Sequence, residues 1–213
     1  MITRIYILLI FMMAFGFSSC NGQNPENKDF DKMKEMKTDT ATFAAGCFWC
    51  VEEQFRQLKG VVEVISGYTG GALENPSYED VVSGETGHAE AINVIYNPDE
   101  VSYDFLLSAF FQAHDPTQLN RQGADIGTQY RSAIFYHNVE QKELAEYYIY
   151  KLNEEKAYPD PIVTEVTAFN VFYKAENYHQ DYYEKNPYQG YCQIVIKPKL
   201  EKFREVFKDH LKE

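Results

Sequence analysis

The sequence predicts an α+β domain in which helices and a mixed sheet form a two-layer α/β sandwich, with long loops and a C-terminal helix. Two observations predict this class. Strand-like and helix-like apolar patterns take turns along the chain, and turns that contain glycine or proline separate them. Hydrophobic residues make up 45% of the 213 residues, which is enough to bury the core of one domain.

The predicted elements follow one another in order. Five strand-like runs, the first ending at Gly46, are residues 40–45, 61–68, 89–96, 132–136 and 162–167. Five helical segments are residues 48–58, 77–83, 102–114, 140–155 and 199–211. The first helix has Val51, Phe55 and Leu58 on one face, and Ser102 can cap the third. Strands separated by helices in this way favour a core of the split βαβ, or ferredoxin-like, kind.

Charge and cysteine content narrow the possible functions. Acidic residues number 32 against 20 basic residues, and the formal net charge is -12. This balance argues against a broad nucleic-acid-binding surface and against electrostatic docking on anionic lipid. The chain has 4 cysteines, too few for a scaffold built from disulfides but enough for chemistry.

The N-terminus has the pattern of a secretory signal. Arg4 precedes an apolar run at residues 5–15, which is shorter than the roughly 20 residues of a membrane-spanning helix. Phe17-Ser18-Ser19-Cys20 resembles a bacterial lipobox, whose cysteine becomes acylated. A retained N-terminal anchor is the alternative. We expect three parts: a signal peptide at 1–19, a lipidated Cys20 with a flexible tether at 20–38, and a folded domain at 39–213.

The segment Gly46-Cys47-Phe48-Trp49-Cys50 is the one most suited to chemistry. A strand runs into a glycine and then into a cysteine at the first turn of a helix, where unpaired N–H groups and the helix dipole favour a thiolate. A CxxC pair alone fits a dithiol redox site, half of a zinc site, or two buried cysteines. No second cysteine or histidine pair stands at ligand spacing, so we expect no metal.

Seven motifs carry a resemblance to one family. They are GCFW (46–49), GYTGG (67–71), NPSY (75–78), GHAEA (87–91), HDP (114–116), QGADIGTQYRS (122–132) and NPY (186–188). In order and spacing they resemble the peptide methionine sulfoxide reductase A family, and the resemblance covers roughly residues 42–192. Agreement among several independent motifs is far more specific than CxxC alone.

The resemblance implies thiol-dependent reduction of methionine S-sulfoxide, free or in proteins, and hence repair of oxidised proteins. Cys47 matches the nucleophile that attacks the sulfoxide sulfur, and Glu90 matches the acid that protonates the departing oxygen. Tyr78 and Tyr130 match phenols that hydrogen-bond this oxygen, and Asp125 matches a carboxylate that supports the site. Phe48 and Trp49 match an aromatic wall that takes the substrate methyl group. Cys47 is left as a sulfenic acid, which a second thiol converts to an intramolecular disulfide.

The residues themselves support part of this assignment. A sulfoxide oxygen is a poor leaving group unless protonated, so the site needs an acid that keeps its proton near neutral pH. Period-two alternation puts Glu90 on the same strand face as Ile92 and Val94, so burial would raise its pKa. Each residue also has an alternative without a catalytic role. Glu90 would reach solvent, Tyr78 and Tyr130 would be ordinary tyrosines, and Asp125 would only form a turn. Phe48 and Trp49 would pack in the core.

Two cysteines are candidates for the resolving thiol. Cys50 lies one helical turn after Cys47. Cys192 matches a C-terminal position where many family members carry a recycling cysteine. The run Gln193–Ile196 favours an extended segment, which would move less freely than a glycine-rich tail. We favour Cys50 slightly and keep both.

The signal and the resemblance also predict a setting for the protein. We expect an extracytoplasmic monomer, anchored by lipid to the bacterial envelope, that repairs envelope proteins. It needs no cofactor beyond an external dithiol reductant, which outside the cytoplasm would be a thioredoxin-like protein or a membrane relay. No nucleic acid is expected as a partner.

Three other functions remain as alternatives. A cysteine hydrolase would need a histidine beside Cys47, and the candidates are His88, His114, His137, His179 and His210. A general thiol–disulfide oxidoreductase would also use Cys47 and Cys50, although thioredoxin-like motifs place the tryptophan before the first cysteine. A catalytically silent lipoprotein would bind partners through its aromatic surface.

Overall fold

The computed structural model describes residues 37–212. The predicted signal peptide, Cys20 and the predicted tether up to residue 36 lie outside these residues. Across residues 37–212, no helix is both long and apolar enough to cross a membrane. The described residues belong to one compact unit.

The strands of the described chain are β1 Asp39–Ala45, β2 Val61–Thr69, β3 Ala89–Tyr96, β4 Arg121–Gln122, β5 Asp125–Ile126, β6 Ser132–Tyr136, β7 Glu165–Ala168 and β8 Phe172–Lys174. The α-helices are α1 Phe48–Arg56, α2 Tyr78–Val82, α3 Tyr103–Ala113, α4 Val139–Glu154, α5 Tyr182–Lys185 and α6 Lys197–Val206. Thr128–Tyr130 and Lys208–His210 are 3₁₀ turns, and Cys192–Ile196 is a π-helical turn.

Six strands form one mixed sheet in the order β7-β6-β1-β3-β2-β8. Neighbours are antiparallel, except for the parallel pair β6–β7. β3 lies between β1 and β2, and β1 lies between β3 and β6, so the connections through α1 and α3 each pass over an inserted strand. β4 and β5 form a separate two-stranded ladder. The α+β class predicted from the sequence is confirmed.

The two faces of the sheet are covered differently. On one face the strand residues Phe43, Ile92 and Ile134 belong to the main core together with Phe55 of α1 and Phe110 of α3. Full burial of each such side chain contributes roughly 1.5–3 kcal/mol. On the other face the partly buried Phe169 and Phe172 pack against a smaller cluster. The buried residues of this cluster are four alanines and one phenylalanine, namely Ala44, Ala89, Ala91, Ala133 and Phe135.

One prediction about the C-terminal part is wrong. Gln193–Ile196 is helical, within the π-helical turn that leads directly into α6. The buried residues Cys192, Ile196 and Leu200 are spaced four apart, as on one helix face, whereas an extended segment would also bury Ile194, which is 78% exposed. A short β-branched run does not distinguish strand from helix, and tertiary burial decides here. The strand predicted at 162–167 begins only at Glu165, and β8 was not predicted.

Candidate active site

Cys47 lies at the junction that the sequence predicts, after β1 and at the N-cap of α1. Gly46 makes this junction possible, because its φ is +85° and a Cβ there would lie 2.6 Å from Cβ of Gln122. The Gln122 side chain is itself held by two hydrogen bonds to the backbone of Asp115. Cys47 is only 7% exposed. Its thiol therefore sits at the start of a helix but away from bulk water.

Glu90 is joined to the same helix end. The backbone N–H of Phe48 donates a hydrogen bond of 3.0 Å to Oε2 of Glu90, which is 2% exposed in β3. Burial raises the pKa of Glu90 well above its ordinary value, the nearby Cys47 and Asp125 raise it further, and the Phe48 N–H opposes the shift. The surroundings of the carboxyl therefore favour its protonated form.

Cys47 and Glu90 open into a cavity of about 210 Å³. This is smaller than the roughly 300–1,000 Å³ of sites for drug-sized ligands, so it suits the end of one side chain. The residues that line it are Cys47, Phe48, Trp49, Tyr78, Glu90, Asp125, Tyr130 and Tyr191. All seven residues that the sequence places at the reacting centre and its aromatic wall thus line one cavity, and Tyr191 is an addition.

The phenols of the cavity are hydrogen-bond donors at neutral pH. Burial and the nearby Glu90 raise the pKa of Tyr78 to about 12. Tyr130, in the 3₁₀ turn before β6, has its pKa raised by the same two causes. A ligand oxygen in this cavity would therefore meet neutral O–H groups and a protonated carboxyl.

Tyr191 was missed by the sequence reasoning. Its hydroxyl donates a hydrogen bond of 2.7 Å to Oδ2 of Asp125, and its ring meets Trp49 edge-on at 5.9 Å between centroids. Its phenol also lies close enough to Cys47 and Cys50 to influence both thiols. One feature of the sequence could have identified it. Tyr191 directly precedes Cys192, so it lies near the site if Cys192 is near Cys47.

Aromatic packing fixes the wall of the cavity. Trp49 stacks on Tyr182 at 3.6 Å between centroids and 6° between planes. Its indole Nε1–H donates a hydrogen bond of 3.1 Å to Nδ1 of His179. Phe48 is 1% exposed and packs against His179 and Tyr68. The wall is therefore held from behind by residues that do not line the cavity.

The three cysteines of the described chain, Cys47, Cys50 and Cys192, are free and buried. Burial raises the pKa of Cys47 well above its ordinary value, and its hydrogen bond with Cys50 raises it further. The same hydrogen bond lowers the pKa of Cys50. Burial and the proximity of Cys47 raise the pKa of Cys192. Burial and Cys50 thus oppose the thiolate form of Cys47 that the sequence predicts at this helix N-terminus, while hydrogen bonds from Tyr191 and the Trp49 backbone favour it.

Comparison with known proteins decides the family. The family model described as peptide methionine sulfoxide reductase matches residues 39–211. The chain belongs to the peptide methionine sulfoxide reductase family. It is 54% identical over 170 residues to the peptide methionine sulfoxide reductase MsrA of Natronomonas pharaonis, covering 80% of this chain and 96% of the relative.

Solved structures of the family agree with this fold. Methionine sulfoxide reductase A of Corynebacterium diphtheriae matches with a TM-score of 0.65 and 38% identity, over 71% of this chain and 76% of that one. Reduced Mxr1 of Saccharomyces cerevisiae matches with a TM-score of 0.65 and 35% identity, over 75% of this chain and 94% of that one. The enzyme class expected from the sequence, a thiol-dependent methionine sulfoxide reductase, is confirmed.

The histidines fit a methionine sulfoxide reductase better than a cysteine hydrolase. His88 bonds to the backbone of Gly71 and Leu73, and His114 bonds to Phe110 O in α3 and to the Ser132 hydroxyl in β6. Within residues 37–212 no histidine forms a hydrogen bond with Cys47, so the base that a hydrolase needs is not beside it.

Proposed function

We propose that Cys47 attacks the sulfur of methionine S-sulfoxide while Glu90 gives its proton to the oxygen. The observation that supports this most is the hydrogen bond between Glu90 and the N–H of Phe48, which holds a protonated, buried carboxyl at the same helix end as the nucleophile. An acid that keeps its proton at neutral pH is what this leaving group needs.

The step balances without any other reactant. The Cys47 sulfur forms a bond to the sulfoxide sulfur as the S–O oxygen is protonated by Glu90. The S–O bond then breaks as the hydroxyl group moves to the Cys47 sulfur, which becomes a sulfenic acid. The S–S bond breaks with its electron pair left on the methionine sulfur, methionine leaves, and the thiol proton of Cys47 replaces the one that Glu90 gave. Cys47 is oxidised by two electrons and the substrate sulfur is reduced by two.

The remaining cavity residues would orient the substrate. Tyr78 and Tyr130 would donate hydrogen bonds to the oxygen as negative charge develops on it. Asp125 would keep Tyr191 beside the thiols through their 2.7 Å hydrogen bond. Phe48 and Trp49 would accept the methyl group on the opposite side. Placing oxygen and methyl on different walls would select the S epimer.

We propose Cys50 as the first resolving thiol and keep Cys192 as the alternative. Cys50 is hydrogen-bonded to Cys47 and has a lowered pKa, so it supplies thiolate to attack the sulfenic acid, with water as the leaving group. Positions three apart on a helix are within the roughly 4.4–6.8 Å that a disulfide needs between Cα atoms. Cys192 is 0% exposed at the start of a π-helical turn and its pKa is raised, so it supplies less thiolate than Cys50.

Single cysteine variants test this choice. After one turnover without reductant, Cys192→Ser should still form an intramolecular disulfide, and Cys50→Ser should leave a sulfenic acid that dimedone traps. A disulfide in Cys50→Ser that forms at the wild-type rate would assign the role to Cys192.

The setting is also part of the proposal. A lipidated Cys20 would hold the domain at the outer side of a bacterial membrane, and a thioredoxin-like protein would reduce the disulfide after each turnover. The enzyme would act as a monomer without a bound cofactor, on oxidised envelope proteins or free methionine sulfoxide. Metabolic labelling with palmitate, lost in Cys20→Ser, would test the anchor.

The decisive experiment uses separated S and R epimers of N-blocked methionine sulfoxide with the purified protein and dithiothreitol. We expect turnover of the S epimer alone, and none in Cys47→Ser. Turnover of neither epimer would favour the dithiol oxidoreductase, which an insulin-reduction assay would then detect.

A further inference from the structure

His179 is a buried residue that the proposed mechanism does not use. It is 1% exposed, and it does not line the cavity. Its ring nevertheless contacts three residues that do, with centroids 4.4 Å from Tyr78, 5.1 Å from Phe48 and 5.6 Å from Trp49. It therefore lies directly behind the wall.

The hydrogen bond from Trp49 determines which nitrogen of this ring carries the proton. An indole N–H can only donate, so Nδ1 of His179, which receives it at 3.1 Å, carries no proton. The proton of the neutral ring is therefore on Nε2. Within the described chain, this buried nitrogen has no hydrogen-bond partner, and the carboxylate of Glu176 lies 3.9 Å away. The ring is thus kept in the tautomer whose Nδ1 accepts the indole hydrogen bond, although this leaves the buried Nε2–H without a partner among the described residues.

This arrangement has a consequence for the cavity. The two small substituents of a sulfoxide sulfur, oxygen and methyl, differ chiefly in that oxygen accepts hydrogen bonds. A free indole N–H on the aromatic side would attract the oxygen away from Tyr78, Tyr130 and Glu90. While the N–H is engaged behind the wall, the cavity meets only the apolar surface of Trp49.

We infer that His179 is a positioning residue that holds Trp49 as an apolar wall without a free donor, and so directs the sulfoxide oxygen to the acid side and the methyl group to the indole. The inference rests on the proposed function, since it concerns the substrate of the same cavity. It adds a determinant of substrate orientation that touches neither the substrate nor the reacting sulfur.

Two substitutions separate this role from simple packing. His179→Leu removes the acceptor, whereas His179→Asn can place an amide oxygen near the position of Nδ1. Trp49 is the single tryptophan of the chain, so its indole N–H gives one unambiguous ¹H–¹⁵N resonance. We expect this resonance to shift upfield in His179→Leu and to return toward its wild-type position in His179→Asn.

The kinetic measurement uses the S epimer with dithiothreitol. A substrate bound with its oxygen at the indole is unproductive, so in His179→Leu we expect the single-turnover rate at saturating substrate to fall about tenfold, as loss of one buried hydrogen bond allows, without a rise in KM. His179→Asn should recover most of this loss. Because Trp49→Phe has no N–H to engage, adding His179→Leu to it should change this rate by less than about twofold.

The outcomes are distinguishable. Equal effects of His179→Leu with Trp49 and with Phe at position 49, or an indole resonance that does not move, would overturn the inference. Absence of S-epimer turnover in the wild-type protein would instead overturn the proposed function, and with it the role in substrate orientation; the resonance would then report only on the hydrogen bond.

Discussion

Glu90 and Glu176 are both close to Tyr78, yet their surroundings differ. Glu90 shares the cavity with the Tyr78 phenol and accepts a hydrogen bond from the N–H of Phe48. Glu176 accepts 2.9 Å hydrogen bonds from the backbone N–H of Tyr78 and from the hydroxyl of Tyr68. One tyrosine therefore contributes its side chain to the first carboxyl's cavity and its backbone to the second carboxyl.

The two carboxyls have opposite pKa shifts. For Glu90, burial and the nearby Cys47 and Asp125 raise the pKa. For Glu176, burial alone would raise the pKa, but hydrogen bonds from its own N–H, from Tyr78 and from Tyr68 lower it below its ordinary value. Deep burial thus favours the protonated form of Glu90, whereas partial exposure and three donors favour the charged form of Glu176.

The largest effect is expected when the acid is removed. Glu90→Gln keeps the shape and an oxygen for the Phe48 N–H but has no proton to give, so kcat/KM for the S sulfoxide should fall by about 10²–10⁴. Steady-state kinetics at pH 7 would measure this. A loss below about threefold would contradict the role of Glu90.

The same variant tests the direction of the pKa shift. A carboxyl with a raised folded-state pKa contributes its stability fully below its unfolded pKa and loses it as pH rises through the folded value. Glu90→Gln should therefore match wild type in thermal unfolding near pH 4 and be more stable at pH 8–9. In the wild type, kcat/KM should fall as Glu90 loses its proton.

Tyr78→Phe separates the two roles of Tyr78, whose side chain lies in the cavity with Glu90 and whose backbone bonds to Glu176. The phenol is lost from the cavity, but the backbone N–H still reaches Glu176. We expect the single-turnover rate to decrease by about ten- to a hundredfold. This is at or below the usual cost of removing one such donor, because the Tyr130 phenol remains. The melting temperature should change little. A large loss of stability with normal turnover would reverse the interpretation.

Glu176→Gln should affect stability more than activity. A neutral amide accepts more weakly from Tyr68 and Tyr78, so the free energy of unfolding should fall by about 1 kcal/mol at pH 7, because Glu176 is partly exposed. The depressed pKa means that this difference should vanish as pH falls through that pKa. Urea denaturation at pH 7 and at steps down to about pH 2.5, below the depressed pKa, would measure both, with Glu90→Gln as the matched control of opposite sign.

Glu52 gives an intermediate case. It is 1% exposed on α1 and accepts a 3.1 Å hydrogen bond from the N–H of Asp181, and burial raises its pKa to about 7. Glu52→Gln should leave stability unchanged near pH 4 and raise it at pH 8, since the wild type loses this stability as pH rises from the unfolded-state pKa through about 7. A shift of this size allows a gain of up to about 3 kcal/mol, reduced by the weaker hydrogen bond that the amide accepts. An equal gain at pH 4 would contradict the sign.

Much of the site could be predicted because its residues occur in local motifs. The strand–glycine–cysteine–helix junction at Cys47 depends on neighbours in sequence, and period-two alternation places Glu90 on the core face of β3. Tyr191 and His179 could not be assigned in this way. Their roles depend on Asp125 and Trp49, which are 66 and 130 residues away in sequence.

The sequence by itself determined the α+β class, the bounds of β3 and β6 and seven of the eight residues that line the cavity, because periodicity, capping and motifs are local. Only the tertiary structure decided the direction of the pKa shifts. Burial raises the pKa of Cys47 and of Glu90, while hydrogen bonds lower that of Glu176. It also decided that residues 193–196 are helical, because burial of Cys192, Ile196 and Leu200 outweighs their β-branched neighbours.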